Sequence, residues 1–477
     1  MSTSTLPSPS TASTSTQPKT VAVFGGSYGG YRAAKLLAHG LPEGWRVVLV
    51  DRNSHFNHVY SLPRFAVLPG HEHKAFIPYD PVFDKSQLLS APSPASSTPS
   101  LAGHDNIRLH ANITEMGPDH VHLSRAFPEY GLDTKLNFDY AIYALGAHLP
   151  APIDLWGPIE EHPGKDIPAS PPMSYSGMKT DSVSWLQKAQ KRVECAHNIL
   201  VVGGGALGIQ FASDIAHLHP NKTVTLLHSR RQLLPRFDPS LHDEVLQSLE
   251  NLGVDVMLGE RLDMQSVSAP PIASKPGELP IRMVRTQSGR EIRTDLLLLC
   301  TGQIPNTGLL AAMDSDTVLS DSKMARVLPT MQLDTSPFGV DGEAGGPVDI
   351  EEDGVMVTQT ETRYPHIFAI GDCADAFGAI NAGHTAYYQG EVAARNILRL
   401  IRRREGLSSG SDELDDDVLE AYAPGAPAIK VSLGLTRAVY EVDGVVGVKD
   451  DGADDLNAAI MWSSMGFKNP TDEDMLR

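Results

Sequence analysis

Two glycine-rich turns, which begin at Gly25 and Gly203 and so lie 178 positions apart, constrain the fold of this chain more than any other feature. Each follows an apolar strand pattern, precedes an apolar helix pattern and is followed by a further apolar strand. The two segments read KTVAVFGGSYGGYRAAKLL (Lys19 to Leu37) and NILVVGGGALGIQFASDIA (Asn198 to Ala216). A strand, a tight glycine turn, a helix and a second strand form the βαβ unit that binds a dinucleotide. One such turn is weak evidence, but two complete units predict two dinucleotide sites.

The first turn predicts a binding site for the pyrophosphate of a dinucleotide. Gly25 allows the tight bend, Gly30 allows the helix to pack closely on the strand, and the helix N-terminus faces the phosphates. Asp51 ends the following strand, where a carboxylate can accept hydrogen bonds from the adenosine ribose. The predicted ligands are Gly25, Gly26, Ser27, Gly29, Gly30 and Asp51.

The second turn contains all three glycines of the pattern, Gly203, Gly205 and Gly208. Its following strand ends in His228, where a site for NADH would have an acidic residue, and Arg230 and Arg231 come next. An acid there repels a 2′-phosphate, whereas arginine can bind one with two hydrogen bonds. This indicates tolerance of NADPH or a preference for it. The alternative is that both arginines form a solvated surface pair.

A third segment indicates that the first nucleotide is a flavin. The strand pattern YPHIFAIGDCAD (Tyr364 to Asp375) ends in Gly371 and Asp372, and a helix pattern follows. An aspartate at such a strand end can bind a ribityl hydroxyl, and the next helix N-terminus can face the flavin. Two dinucleotide sites with this segment predict FAD in the first and NAD(P)H in the second.

The chain resembles the two-dinucleotide-domain flavoproteins related to the pyridine nucleotide-disulfide oxidoreductases. Within them it is similar to the apoptosis-inducing-factor-like branch, which includes AMID and the ferroptosis-suppressor oxidoreductases. The resemblance rests on GGSYGG, Asp51, Phe56 to Tyr79, YALGA (Tyr143 to Ala147), GGGALG, CTGQIPN and GDCAD. It implies that Arg64 and Lys74 lie near the flavin, that Gly146 begins the connection to the nicotinamide domain, and that the electron acceptor is quinone-like. Many relatives have Glu where this chain has Gln210.

The predicted activity is that of an FAD-dependent NAD(P)H oxidoreductase, which passes hydride to FAD and electrons on to a small acceptor. Lys74 and His384 are the candidate catalytic residues, for tuning the flavin or protonating the acceptor. Two alternatives stay open. One is an oxidoreductase that tailors a specialised metabolite, and the other is a signalling flavoprotein that senses NAD(P)H. A monooxygenase has no supporting motif.

The order of these segments predicts an α/β fold with two Rossmann-like dinucleotide-binding domains and a small C-terminal α+β segment. Residues 1–18 form a tail rich in Ser, Thr and Pro, which we expect to be disordered. The FAD domain is discontinuous and comprises residues 19–150 and 304–402. The NAD(P)H domain comprises residues 181–303, and the C-terminal segment residues 420–477.

Composition and residue spacing argue against several other classes of protein and partner. The three cysteines, Cys195, Cys300 and Cys373, form no Cys-x-x-Cys pair, which excludes the chemistry of disulfide reductases. The net charge of −19 disfavours nucleic acid as a partner. No histidine has partners at metal-ligand spacing, so no metal is expected. No apolar run reaches the roughly 18 residues of a spanning helix. The N-terminal tail has neither the apolar stretch nor the arginines of a targeting sequence, so we expect a cytoplasmic enzyme. Peripheral membrane contact and a homodimer stay open.

Overall fold

The computed structural model describes residues 18–84, 106–157, 175–268, 272, 279–336, 348–352, 355–359, 362–407, 418–450 and 452–477. Residues 1–17 of the predicted tail, the Pro- and Ser-rich stretch Ser90 to Gly103 and the acidic run Asp412 to Asp417 lie outside these ranges.

The first nucleotide fold is built on a sheet of five parallel strands. Its central strands are almost continuously aliphatic, and Val21, Val23 and Phe24 are fully buried. Such strands suit a parallel sheet that is covered on both faces. The spatial order is Ile367–Ala369, Tyr140–Tyr143, Lys19–Phe24, Trp45–Asp51 and Ile107–His110.

Two helices, Gly29–Gly40 and Gly383–Glu405, cross each other closely within this first fold. A side-chain carbon at Gly390 would lie 2.5 Å from the carbonyl oxygen of Gly29, so the crossing requires a glycine in the second helix. The crossing brings the N-terminal turns of both helices to the same edge of the sheet, where both contribute to one cavity.

The second nucleotide fold has four parallel strands in the order Asp255–Leu258, Thr223–His228, Asn198–Val202 and Leu296–Leu299. Its longer helices are Lys179–Cys195, Ala206–Leu218 and Pro239–Asn251. The last of these begins as expected from its sequence, because the Asp238 side chain accepts a hydrogen bond from the Ser240 amide and Pro239 occupies the first turn.

The chain passes between the two folds where Ala147–His148 pairs antiparallel with Ile304–Pro305. Four smaller antiparallel groups lie outside the two parallel sheets. They are His55–Asn57 with Phe76–Pro78, Ile113–Met116 with His120–Leu123 and Lys135–Asn137, Arg282–Arg285 with Glu291–Thr294, and Val348–Glu352 with Val355–Gln359. The short helices are Leu62–Phe65, Met264–Val267, Gly308–Met313 and Ala458–Ser464.

The C-terminal residues pack on both nucleotide folds. An antiparallel sheet of Ile429–Leu433, Arg437–Val442 and Val445–Lys449 lies on the second fold, where Val431, Leu433 and Val439 are buried. The helix Ala458–Ser464 instead places Trp462 in the core of the first fold. These elements confirm the predicted fold class, while the domain boundaries stay a prediction. No helix in the described ranges is long and apolar enough to cross a membrane.

Candidate cofactor-binding site

A cavity of about 580 Å³ opens at the carboxyl edge of the first sheet. Each of the five strands contributes its last residue or the residue that follows it, namely Gly25, Asp51, Ala111, Ala144 and Ile370. Ligands of open α/β sheets bind at this edge. The cavity therefore brings together eight predicted residues: Gly25, Ser27, Gly29, Gly30, Asp51, Gly146, Gly371 and Asp372.

At Gly25 and Gly30 the first turn has room for backbone atoms only. Gly25 has a φ of +97°, and a side-chain carbon there would lie 2.3 Å from the Ala144 carbonyl oxygen. At Gly30 a side-chain carbon would lie 1.9 Å from the Gly25 carbonyl oxygen. The helix Gly29–Gly40 consequently starts directly beneath the turn, and no side chain caps its N-terminus. The Gly30 amide donates to the Ser27 carbonyl at 2.9 Å, and the positive dipole end of the helix suits a pyrophosphate.

Asp51 connects this turn to the neighbouring strand. One carboxylate oxygen accepts a hydrogen bond from the Gly26 amide at 2.5 Å, and the other accepts one from the Asn53 amide at 2.6 Å. Burial raises the pKa of this carboxyl group, and the two amide hydrogen bonds oppose that shift. A carboxylate has about four acceptor positions, so it can still bind hydroxyls from the cavity side. Gly26 contributes its amide to Asp51 and is not among the lining residues.

One end of the cavity has a flat wall that the sequence patterns do not indicate. The Arg52 guanidinium lies over the Trp156 ring at 4.6 Å, and the Trp156 indole nitrogen donates to the Asn53 side-chain oxygen at 3.0 Å. The edge of Tyr175 closes against the same ring at 4.5 Å. Arg52 and Trp156 both line the cavity next to Asp51. This end is thus suited to a planar base beside a ribose.

The opposite end holds Asp372 and the N-terminus of the helix Gly383–Glu405. Burial raises the pKa of Asp372 to about 6. The adjacent Gly371 has a φ of +78°, and its amide donates to the Gln389 side-chain oxygen at 2.6 Å. Helix residues Gly383 and Ala386 face the cavity. The helix N-terminus therefore lies at the cavity, and its contact with a flavin stays a prediction.

Aromatic side chains that the sequence patterns missed surround this second end. Tyr28 lies within the first turn at a φ of +35°, which is rare for a residue with a side chain. Its hydroxyl shares a hydrogen bond with His58 at 3.1 Å, and its ring meets the edge of the Tyr60 ring at 5.6 Å. Burial lowers the pKa of His58 to about 4, so its ring is neutral at physiological pH. Tyr28 and Tyr60 both line the cavity, and Tyr60 is 48% exposed.

Besides Gly26, three residues predicted for the flavin site lie outside the cavity lining. Arg64 is completely buried at the junction of both folds, where it pairs with Asp214 at 2.8 Å and donates to the Gly434 carbonyl at 2.7 Å. Lys74 pairs with Asp455 and Asp472 at 3.0 and 3.1 Å. These placements differ from the expectation of flavin contacts, because both cations are occupied by partners within the chain.

His384 lies outside the cavity lining for a geometric reason. It lies in the first turn of the helix Gly383–Glu405, but the helical repeat directs Gly383 and Ala386 toward the cavity and leaves His384 exposed.

The second turn repeats the construction of the first. Gly203 has a φ of +126°, and a side-chain carbon at Gly208 would lie 1.9 Å from the Gly203 carbonyl oxygen. No atom lies within 4 Å of the equivalent point at Gly205, which leaves space above the uncapped helix Ala206–Leu218. Arg230 and Arg231 are exposed and form no ion pair with any described residue. The structure thus places the second set of predicted residues at one turn.

These features fit two dinucleotides. The family model for pyridine nucleotide-disulphide oxidoreductases matches residues 19–329. The chain belongs to this family. It is an FAD-dependent NAD(P)H oxidoreductase, as the sequence predicted.

Relatives match over almost the whole chain. Fe-regulated protein 8 of Mycosarcoma maydis is 41% identical over 462 residues, which cover 95% of this chain and 96% of that protein. Ferroptosis suppressor protein 1 of Taeniopygia guttata is 27% identical over 466 residues, which cover 94% of this chain and 97% of that protein. These matches confirm the predicted resemblance to the ferroptosis-suppressor branch.

Solved structures share the fold at low identity. The water-forming NADH oxidase of Lactobacillus brevis, bound to NADH, has a TM-score of 0.52 at 17% identity, with 88% of this chain and 74% of that chain covered. The reduced CoADR-RHD of Bacillus anthracis has a TM-score of 0.51 at 16% identity, with 89% of this chain covered. This chain spans 61% of the length of the latter protein.

Proposed function

We propose that this enzyme oxidises NADPH, in preference to NADH, and passes the electrons through FAD to a small quinone-like acceptor. The observation that supports it best is the pair of turns with the same close backbone approach, one of which opens into a cavity with an aromatic end. The reaction balances as NADPH, one proton and a quinone giving NADP⁺ and a quinol.

The residues of the first fold would hold FAD along the cavity. The turn and the helix Gly29–Gly40 would bind its pyrophosphate, and Asp51 its adenosine ribose. The stacked Arg52 and Trp156 would form a flat wall beside the adenine, and Asp372 would bind a ribityl hydroxyl. When bound, FAD would supply the redox chemistry, which is to accept a hydride from the nicotinamide and to pass the electrons on.

The choice of a quinone-like acceptor is supported by the aromatic end of the cavity. Tyr28 and Tyr60 present ring edges and faces there, and Tyr60 reaches the surface. The Tyr60 hydroxyl already accepts a hydrogen bond from the Gly383 amide, so its own proton is available to a ligand oxygen. Planar aromatic acceptors pack well against such a surface. His384 stays the candidate proton donor predicted from the sequence, on the exposed side of the helix turn that lines the cavity, whereas Lys74 is held in two ion pairs.

The preference for NADPH is supported by Arg230 and Arg231, two exposed cations just beyond the second strand of the second fold. A 2′-phosphate at that position could form charge-assisted hydrogen bonds with them. We further propose that the FAD domain comprises residues 19–150 with 304–402, the NAD(P)H domain residues 181–303 and the C-terminal segment residues 420–477. The cytoplasmic location, a homodimer and peripheral membrane contact stay predictions from the sequence.

The visible spectrum of the purified protein tests the donor half of the reaction. Under anaerobic conditions we expect a yellow protein whose flavin band bleaches on addition of NADPH, faster than with NADH. The matched control is Gly208→Val, which blocks the second turn and should stay yellow without bleaching. A yellow wild-type protein that neither nucleotide bleaches would refute the reductase proposal.

Initial rates with simple soluble quinones test the acceptor half. Fast turnover supports quinone reduction. Fast bleaching without turnover of any quinone would favour tailoring of a specialised metabolite. Slow reoxidation together with a redox-dependent change in mass would favour a signalling flavoprotein.

A further inference from the structure

Tyr28 gives the first glycine turn a backbone conformation that the second turn does not share. Its φ of +35° and ψ of −97° are rare for a residue with a side chain. The residue at the same place in the second turn is Ala206, which begins a regular helix and has no positive φ. A dinucleotide turn therefore forms without this strain. Strained residues cluster at functional sites, so Tyr28 is a candidate for a role beyond the turn.

Packing on several sides fixes the Tyr28 ring. Its centroid lies 4.9 Å from that of Phe56 and 6.1 Å from that of Tyr387, and both rings meet it edge to face. On another side, a side-chain carbon at Gly383 would lie 2.6 Å from the Tyr28 ring, so the helix Gly383–Glu405 starts directly against it. Tyr28 also lines the cavity. The position of its hydroxyl group is therefore set before any ligand binds.

The hydroxyl group of Tyr28 is held by His58. Its Oη atom lies 3.1 Å from Nδ1 of the imidazole, at hydrogen-bond distance. Burial raises the pKa of Tyr28 well above its usual value, and the nearby Tyr60 and Tyr387 raise it further. The hydroxyl group consequently keeps its proton at physiological pH. It can release that proton only to an oxygen that becomes strongly basic, such as the oxygen of a quinone that has received electrons.

His58 can restore this proton. The residue is partly exposed, and its ring is neutral because burial lowers its pKa to about 4. A neutral imidazole carries one N–H group and one free lone pair. Its Nδ1 atom can therefore give a proton to a Tyr28 phenolate while Nε2 takes one from water, and the ring is uncharged afterwards.

We propose that Tyr28 is the catalytic acid that protonates the acceptor, and that His58 is the positioning residue that holds its hydroxyl group and restores its proton. The inference rests on the proposed reduction of a quinone. The quinone gains two electrons and one proton, which together equal the hydride that NADPH supplies, and its second proton comes from Tyr28 Oη. The O–H bond of Tyr28 breaks as an O–H bond of the quinol forms, and one proton from water replaces it through His58. This assigns the second proton to the cavity wall, whereas His384 lies outside the cavity lining.

The two half-reactions, followed separately, test this assignment. The flavin of the holoenzyme is reduced with NADPH under anaerobic conditions, and its reoxidation by benzoquinone or by ferricyanide is followed in a stopped-flow instrument. Benzoquinone takes up electrons and protons, whereas ferricyanide takes up electrons alone. The variants are Tyr28→Phe and His58→Ala. Tyr388→Phe is the matched control, because Tyr388 is exposed and lies on the helix that meets Tyr28 but outside the cavity lining.

We expect Tyr28→Phe to slow reoxidation by benzoquinone by about 100-fold and to keep reoxidation by ferricyanide within about twofold of wild type. Tyr388→Phe should match wild type with both acceptors. His58→Ala should also slow the reaction with benzoquinone, and added imidazole should restore part of the rate. The same imidazole should not help Tyr28→Phe, because that variant lacks the acid itself. The rate of flavin reduction by NADPH verifies that each variant is folded and loaded.

A measurement without turnover tests the hydrogen bond itself. In protein labelled with ¹⁵N-histidine, the Nδ1 resonance of His58 is identified by its absence in His58→Ala. It should move in Tyr28→Phe and stay in place in Tyr388→Phe. A resonance that does not move in Tyr28→Phe would show that the two side chains share no proton, and would overturn the inference.

The rates separate this inference from its alternatives. Equal slowing of Tyr28→Phe with both acceptors would overturn it, since that result would indicate a displaced flavin rather than a missing proton. A loss with benzoquinone in His384→Gln or Tyr60→Phe but not in Tyr28→Phe would overturn it as well. A wild-type enzyme that reduces ferricyanide but no quinone would refute the proposed acceptor and the inference together. Equally fast reduction of benzoquinone by wild type and by Tyr28→Phe would refute the inference alone.

Discussion

The ion pair between Arg64 and Asp214 predicts a large loss of stability when either partner is removed. Both side chains are completely inaccessible to solvent, and their atoms lie 2.8 Å apart. Arg64 also donates to the Gly434 carbonyl at 2.7 Å, so it joins the first fold, the second fold and the C-terminal sheet. In Arg64→Met the side-chain volume is largely kept, but the buried Asp214 carboxylate loses its counter-charge.

The expected cost of Arg64→Met follows from that unpaired charge. Removal of one partner from a buried pair costs about 3–5 kcal/mol, whereas replacement of both partners by apolar residues is often nearly neutral. The double variant Arg64→Met/Asp214→Leu should therefore be more stable than Arg64→Met alone. Lys191→Met removes one partner of the exposed pair with Glu194 and is the matched control, for which we expect no measurable change.

Urea unfolding of all three variants measures these free energies, and the flavin absorbance of the folded protein is recorded alongside. We expect Arg64→Met to keep its flavin at low urea and to unfold at a much lower urea concentration than wild type. The reasoning is refuted if Arg64→Met unfolds like wild type but is purified without flavin. That result would instead support the expectation, drawn from the family resemblance, that Arg64 contacts the flavin.

Three further predictions test the cavity. Gly30→Val should be purified colourless, because its side chain would overlap the Gly25 carbonyl. The control Gly425→Val, which has open space around it, should stay yellow. A yellow Gly30→Val protein would contradict this prediction. Trp156→Ala should weaken FAD binding to the apoprotein by about tenfold through loss of aromatic contact and leave FMN binding unchanged, as measured by flavin fluorescence; equal losses for both would place Trp156 away from the adenine. Asp372 has a pKa of about 6, above its usual value of 3.8, so its contribution to stability is complete below pH 4 and is lost as the pH rises through 6. Between pH 5 and 7 the melting temperature of the apoprotein should therefore fall less in Asp372→Asn than in wild type. If the melting temperatures of both proteins fall equally with pH, Asp372 does not contribute this pH dependence.

The sequence predicted the parts of the site that are local. A strand, a glycine turn and a helix N-terminus follow one another along the chain, so their pattern predicts Gly25, Gly30 and their equivalents at Gly203 and Gly208. Asp51 and Asp372 were predictable for the same reason, because Asp51 ends a recognisable apolar strand and Asp372 follows the end of another by three residues.

Long-range contacts were not predictable in this way. Trp156 comes from the connection between the two folds, where no periodic pattern indicates which side chains turn inward. Tyr28 was hidden inside the turn, although a tyrosine in a glycine-rich turn is itself unusual and could have indicated a special conformation. The pairing of Arg64 could not be predicted from the sequence, because its partner Asp214 lies 150 positions away on another fold.

The contacts of Arg64 also bear on how the protein is made. Its guanidinium donates hydrogen bonds to the carbonyls of Gly434 and Ala453, which follow Arg64 by 370 and 389 positions. Ribosomes add about 5–20 residues per second, so roughly 20 to 80 seconds separate the synthesis of Arg64 from that of its last partner. During this interval the nascent first fold has a cation with no completed site. The hydrogen bonds of Arg64 are therefore complete only after translation has passed residue 453.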